Sequence, residues 1–323
     1  MTGRQRVERA RVKRAGTFGR WIALAGLALS ACTPAGPVGP VAPPTAPGDP
    51  TALVEPSPAS AAAAIYYAQI QQALLREGLL RTDPGREVPL TADMLAVNFL
   101  RIALFDEYRR GDAGLVQEET ESRLRRWEVP VRIGLRFGAS VPPDQQATDR
   151  ANLANLVAHL ASVTGHPITL DDASPNFLVH ILAEDERQAL GPKVRAAMPN
   201  LTAGDIAGIT QMPPTTYCLV YALSSGNSGA YTRAFAVIRA EHPDLMRLSC
   251  LHEEIAQGLG LANDSPRARP SVFNDDEEFA LLTWQDDLLL RMLYAPELSP
   301  GLYVDEARPI VISLARRLLG GDT

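Results

Sequence analysis

Along the chain, apolar residues recur every third or fourth position in some stretches and every second position in others, and the two rhythms lay out an order of elements. Ala61 to Leu79 (Ile65, Ala68, Ile70, Leu74, Leu75) and Met94 to Tyr108 repeat at helical intervals, with a turn predicted around Asp83-Pro84-Gly85. From Val129 the rhythm changes. Val129 to Phe137 (VPVRIGLRF) largely alternates, as a half-buried strand does. Asp149 to Val163 returns to helix, with Leu153, Leu156, Val157 and Leu160 on one face. Asn176 to Leu182, Tyr217 to Leu223 and Tyr231 to Arg239 read as strands, the last two joined across the Gly/Ser/Asn-rich hairpin stretch Ser224 to Gly229.

The stretch Arg247 to Asp264 (RLSCLHEEIAQGLGLAND) is the centre of this order. Leu248, Leu251, Ile255 and Leu259 make one side apolar, Glu253 and Gln257 lie a turn apart on the other, and Gly260 stands where a helix commonly stops. Phe279 to Tyr294 is a further amphipathic helix, Pro296 to Gly301 a turn, and Glu306 to Leu319 a last helix broken or started at Pro309. The charged run Glu184 to Arg187 reads as a solvated turn. His159, His166, His180 and His242 lack metal-binding spacing and read as surface or capped histidines.

The start of the chain adds an address. Arg4, Arg6, Arg9, Arg11, Lys13, Arg14 and Arg20 precede the short apolar stretch Trp21 to Leu29, and Leu29-Ser30-Ala31-Cys32 resembles a lipobox, at which Cys32 would become the lipidated first residue. With Thr33 rather than Asp after it, the expected destination is the outer membrane facing the periplasm. Thr33 to Ser60, rich in Pro and poor in charge, reads as an extended tether. Removing the leader takes seven of the 31 basic residues and one of the 37 acidic ones, leaving 24 against 36. That balance excludes nucleic acid as the expected partner and leaves acyl chains as the membrane attachment. After Cys32, only Cys218 and Cys250 remain; an oxidising envelope permits a bridge worth roughly 3 to 4 kcal/mol on the chain-entropy estimate, the alternative being two buried thiols.

Two registers of the central stretch carry chemistry. His252-Glu253 opens an HExxH pattern, but Ala256 stands at the second His and His252 falls at the edge of the apolar stripe, so it reads as a core-edge histidine. One residue on, Glu253-Glu254-Ile255-Ala256-Gln257-Gly258-Leu259-Gly260-Leu261-Ala262-Asn263 resembles the metzincin-type metallopeptidase motif, and Leu282-Thr283-Trp284-Gln285-Asp286 through Tyr294 resembles the later metzincin helix. Glu253, Gln257 and Asn263 stand at the three zinc-ligand positions, Glu254 at that of the catalytic base, and Val272 near the Met-turn. More closely, Cys250 to Ser265 (CLHEEIAQGLGLANDS) and Pro270 to Asp275 (PSVFND) are similar to the signature of a bacterial lipoprotein family catalogued as domain of unknown function 2927.

These resemblances imply an α+β fold: a zincin/metzincin-like domain with a mixed sheet and central helix, preceded by an N-terminal helical pair. The expected organisation is leader 1–31, tether 32–60, helical segment 61–125 and zincin-like domain 126–323. Zinc in such a site lowers the pKa of its bound water from 15.7 to about 7, whereas a positioned base alone contributes about 10² to 10⁴ in rate. Glu254 without zinc is therefore a poor peptidase. Two functions stand open. One is a non-catalytic binding or structural module that needs no cofactor, uses Glu253, Gln257, Asn263 and Asp264, and takes a peptide or protein partner. The other is an envelope metallohydrolase with Glu254 as base, in which Glu253, Gln257 and Asn263 hold a divalent cation through oxygens. A third use, partner recruitment by the helices between Ala61 and Tyr108, leaves the domain as a scaffold.

Overall fold

The computed structural model describes residues 54–111, 114–199, 201–224, 226, 228–274 and 276–320. The expected leader, Cys32 and the tether as far as residue 53 lie outside them. Helix α1, Pro58–Arg76, starts where Ser57 accepts a hydrogen bond from Ser60 N and Pro58 supplies a first helical position with no N–H to satisfy. Helix α2, Ala92–Leu104, is capped by Thr91.

Here the pattern misleads in one respect: the second helix ends at Leu104, not Tyr108, and the chain turns into a hairpin of β1, Phe105–Gly111, and β2, Gly114–Glu121. The reason is tertiary. The last carbonyls of α2 are claimed by other segments, Leu104 O by Ser122 N and Ile102 O by Asn263 N, so Phe105 adopts an extended conformation.

There follow β3, Arg126–Trp127; β4, Val131–Phe137; α3, Pro143–Thr164, closed by Gly165 at φ +66°; β5, Ile168–Leu170; and β6, Phe177–Leu182. Three short helices, α4 Glu184–Gln188, α5 Gly191–Ala197 and α6 Ala203–Thr210, precede β7, Cys218–Ser224, and β8, Ala230–Arg239. The chain then forms α7, Asp244–Leu259; α8, Trp284–Leu293; and α9, Val304–Leu318. Helix α8 begins later than expected because Thr283 and Asp286 form a capping box that fixes its first turn. Helix α9 starts at Val304 and runs through Pro309.

Strands β5, β4, β6 and β8 lie side by side and parallel, β7 runs antiparallel along β8, and β3 pairs with the first two residues of β8. The architecture is thus α+β with a mostly parallel, mixed sheet. Alternation along the strands sorts side chains to two faces. Phe177, Val179, Ile181, Ala234, Ala236 and Ile238 join the main core with α2, α3, α7, α8 and α9. Leu182, Tyr221, Phe235 and Val237 face a second core made with α5 and α6. No helix among the described residues is long and apolar enough to cross a membrane.

Two expectations are corrected. Glu184 to Arg187 is not a solvated turn: it opens α4, and Arg187 is buried, giving hydrogen bonds to Ile209 O at 2.7 Å and to Glu184 at 2.5 Å. Glu184 also accepts from the buried Arg239 at 2.7 Å, so the run is an ion-pair hub under the sheet. His242 is not at the surface either. It is 2% exposed, set edge-on to Tyr67 and Tyr217, and burial pushes its pKa down to about 3.

Candidate functional site

Helix α7 carries the motif and is built to lie close against its neighbours. A Cβ on Gly258 would come within 2.5 Å of the Phe177 ring, and one on Gly260 within 2.1 Å of the Arg125 carbonyl; Gly260 also has φ +133°. Only glycine fits at either place. Trp127 Nε1 donates to Gly258 O at 2.9 Å, pinning the last turn to β3. Its middle is tied to the sheet by the disulfide Cys218–Cys250, with Cα atoms 5.9 Å apart, so the bridge rather than two thiols is present. Arg247 in the first turn is buried and paired with the buried Asp149 of α3, with Nε 3.1 and 3.0 Å from the two carboxylate oxygens.

On this frame Glu253 and Gln257 are half-buried, while Glu254 is 3% and Asn263 2% exposed. Gln257 Nε2 donates to Asp264 Oδ1 at 3.3 Å. Asn263 turns its amide toward α2: Nδ2 donates to Arg101 O and its backbone N to Ile102 O, both at 3.0 Å. Asn263 thereby satisfies two carbonyls left over at the end of that helix. Glu253, Glu254, Asn263 and Asp264 each have a further interaction partner. Gln257 and Asp264 are therefore brought together, whereas Asn263 is committed to a different segment. Among the described residues no group of three or more His, Cys, Asp and Glu is arranged to hold a metal ion.

The core-edge reading of His252 agrees with its half-buried ring, whose Nδ1 accepts from Leu282 N at 3.2 Å. Burial pushes its pKa down to about 4, so it stays neutral near neutrality.

Sequence reasoning missed the groups that fix the second half of the signature. Asp286, fully buried, accepts from Ser271 Oγ at 2.5 Å, Val272 N at 3.0 Å, and Thr283 N and Oγ1 at 2.8 and 3.0 Å. Beside it, Gln285 donates to Pro270 O at 3.0 Å and accepts from Asn98 Nδ2 at 2.8 Å, and Thr283 Oγ1, 2.8 Å from Pro270 O, shares its one hydrogen between that carbonyl and Asp286. One buried polar network thus joins α2, the Pro270–Asn274 turn and α8. The Thr-x-x-Asp spacing of Thr283 and Asp286 was the available signal for half of it. Val272 and Phe273 are buried in the main core beneath this turn.

Chemically, the ensemble holds segments together. Gln257 and Asn263 each give an amide N–H to a protein acceptor, and the imidazole of His252 serves a backbone N–H. Strand β7 pairs with β8 alone among the described residues, so its other edge meets no strand. Across the chain, a family model described as protein of unknown function DUF2927 matches residues 92–313. No curated protein and no solved structure matches. The match takes in α2 through most of α9, including both halves of the signature, and the chain belongs to the DUF2927 family.

Proposed function

We propose that this protein is a lipid-anchored component of the cell envelope, held at Cys32 in the outer membrane and facing the periplasm. Its metallopeptidase-like domain has exchanged zinc hydrolysis for binding. The observation that carries the second part is the use of the zinc-equivalent positions: Gln257 bonds Asp264, and Asn263 bonds the carbonyl of Arg101. Turning the Asn263 side chain onto a metal would break its bond to that carbonyl. The order of β4, α3, four further strands with three short helices among them, and α7 supports the zincin-like reading, since strand, helix, strands and motif helix is the order that the resemblance implies.

The partner is an extended peptide segment laid along β7. Support comes from the edge of β7 that meets no strand, from its half-buried side chains, and from its fastening to α7 through Cys218–Cys250. Backbone groups on such an edge give affinity, and alternate side-chain positions give selectivity. Hydrogen exchange on the purified lipoprotein with and without a library of extended peptides tests it. Protection of amides in Cys218–Ser224 supports the reading; hydrolysis of the peptides, abolished by Glu254→Gln, would replace it with the metallohydrolase.

A further inference from the structure

Helix α1 lies outside the family-matched span and buries only Ser60 and Tyr67, with Ile65 63% exposed. Its contribution to the core is small, yet three of its side chains reach the elements that border the proposed cleft. Helix α7 opens at Pro243, which offers no side-chain cap, so its first N–H groups need acceptors from elsewhere. Gln71 Oε1 accepts from Met246 N, the third helical residue, at 3.2 Å. A turn earlier on α1, Tyr67 OH donates to Pro214 O at 3.1 Å in the approach to β7. The same ring stands edge-on to His242, whose centroid is 4.4 Å away and which immediately precedes Pro243. Two turns further back, Ser60 Oγ donates to Glu241 Oε1 at 2.7 Å, and that oxygen also accepts from Glu184 N at 2.6 Å. Residues 60, 67 and 71 recur at helical spacing on one face, so a single docking event makes all three contacts.

We infer that Ser60, Tyr67 and Gln71 are positioning residues: α1 caps the signature helix from outside and sets the entry to β7. The functional domain therefore begins near residue 58 rather than at the start of the family match. The inference rests on the proposed cleft only for the meaning of those two elements; the positioning is read without any ligand.

Hydrogen exchange on the full chain tests it with Gln71→Leu, which keeps bulk but removes the acceptor, and Gln71→Glu, which keeps an acceptor. In Gln71→Leu, amides 244–248 exchange roughly tenfold faster, the factor that corresponds to losing one helix cap, while β4 and β6 are unchanged. Gln71→Glu restores wild-type exchange there, because a carboxylate also suits a helix N-terminus. Tyr67→Phe speeds exchange at 215–218. Faster exchange confined to α1, a uniform rise across the chain, no change at 244–248, or failure of the Glu variant to restore protection overturns the inference. A cleft that binds no peptide would leave these results standing, so the two readings fail separately.

Discussion

Replacing Asn263 separates a structural tie from a cation ligand. In Asn263→Ala the donor to Arg101 O disappears while the backbone bond to Ile102 O can remain. The lost bond is part-buried and ends on the carbonyl of the exposed Arg101, while the Asn263 side chain itself is buried, so a loss of about 1 to 2 kcal/mol is expected. Gln257→Ala removes a longer bond, 3.3 Å, from a half-buried residue and should cost about 0.5 to 1 kcal/mol. Asn263→Asp is the sharper variant. A carboxylate is a better cation ligand than an amide but has no hydrogen to give, and it would face the Arg101 carbonyl with negative charge. It should destabilise at least as much as alanine near neutral pH. Urea unfolding reads this as a lower midpoint at unchanged slope. An Asp variant as stable as wild type, or one stabilised by added divalent cation, would refute the reasoning.

Other outcomes follow from the same geometry. Gly258→Ala should cost about 1 to 3 kcal/mol by pushing on Phe177, and Gly260→Ala more, because its Cβ meets backbone at a positive φ; thermal unfolding checks both. Burial lowers the His242 pKa to about 3 and those of His180 and His252 to about 4, so the stability they confer is full above about pH 6.5 and lost as pH falls toward those values. Asp286, raised to about 6 by burial, acts in the opposite sense: its contribution is full below about pH 4 and lost as pH rises through 6. Three imidazoles outweigh one carboxyl, so the fold should weaken on acidification from about pH 6 to 4. His242→Phe should reduce that slope by about 1.4 kcal/mol per pH unit in urea titrations. Cys32→Ala should abolish labelling by radioactive palmitate and release the chain from membranes; retained label would remove the lipid anchor from the account.

Most of the fold was legible where local pattern and tertiary packing agree. Strands β4, β6, β7 and β8 and the helix closed by Gly260 lie within a few residues of expectation, since alternation and three-four spacing are the marks of half-buried elements, whereas β3 and β5, two and three residues long, are too short to show a period. Legibility fails where a distant segment decides. Residues 105–108 continue an apolar helical rhythm, but Asn263 and Ser122 take the α2 carbonyls and the chain becomes strand. Helices α4 to α6 are too short for a period to register, and their charged start looks like solvent-facing turn until Arg239 and Arg187 close on Glu184. At the candidate site, spacing placed Glu253 and Gln257 on one helical side, yet no sequence rule points Asn263 at Arg101 or Gln285 at Asn98. Those pairings, 162 and 187 residues apart, exist only once the core has formed.

The proposed function requires that a metallopeptidase-like domain uses its zinc-equivalent positions to bind its own chain. Elemental analysis of the purified protein after dialysis against excess zinc, alongside a peptidase assay, is the sharpest check of it. The account predicts substoichiometric metal and no cleavage, in the wild type and in Glu254→Gln alike. One tightly held transition-metal ion per chain, lost in Glu253→Ala and Asn263→Ala and accompanied by cleavage that Glu254→Gln abolishes, would contradict it.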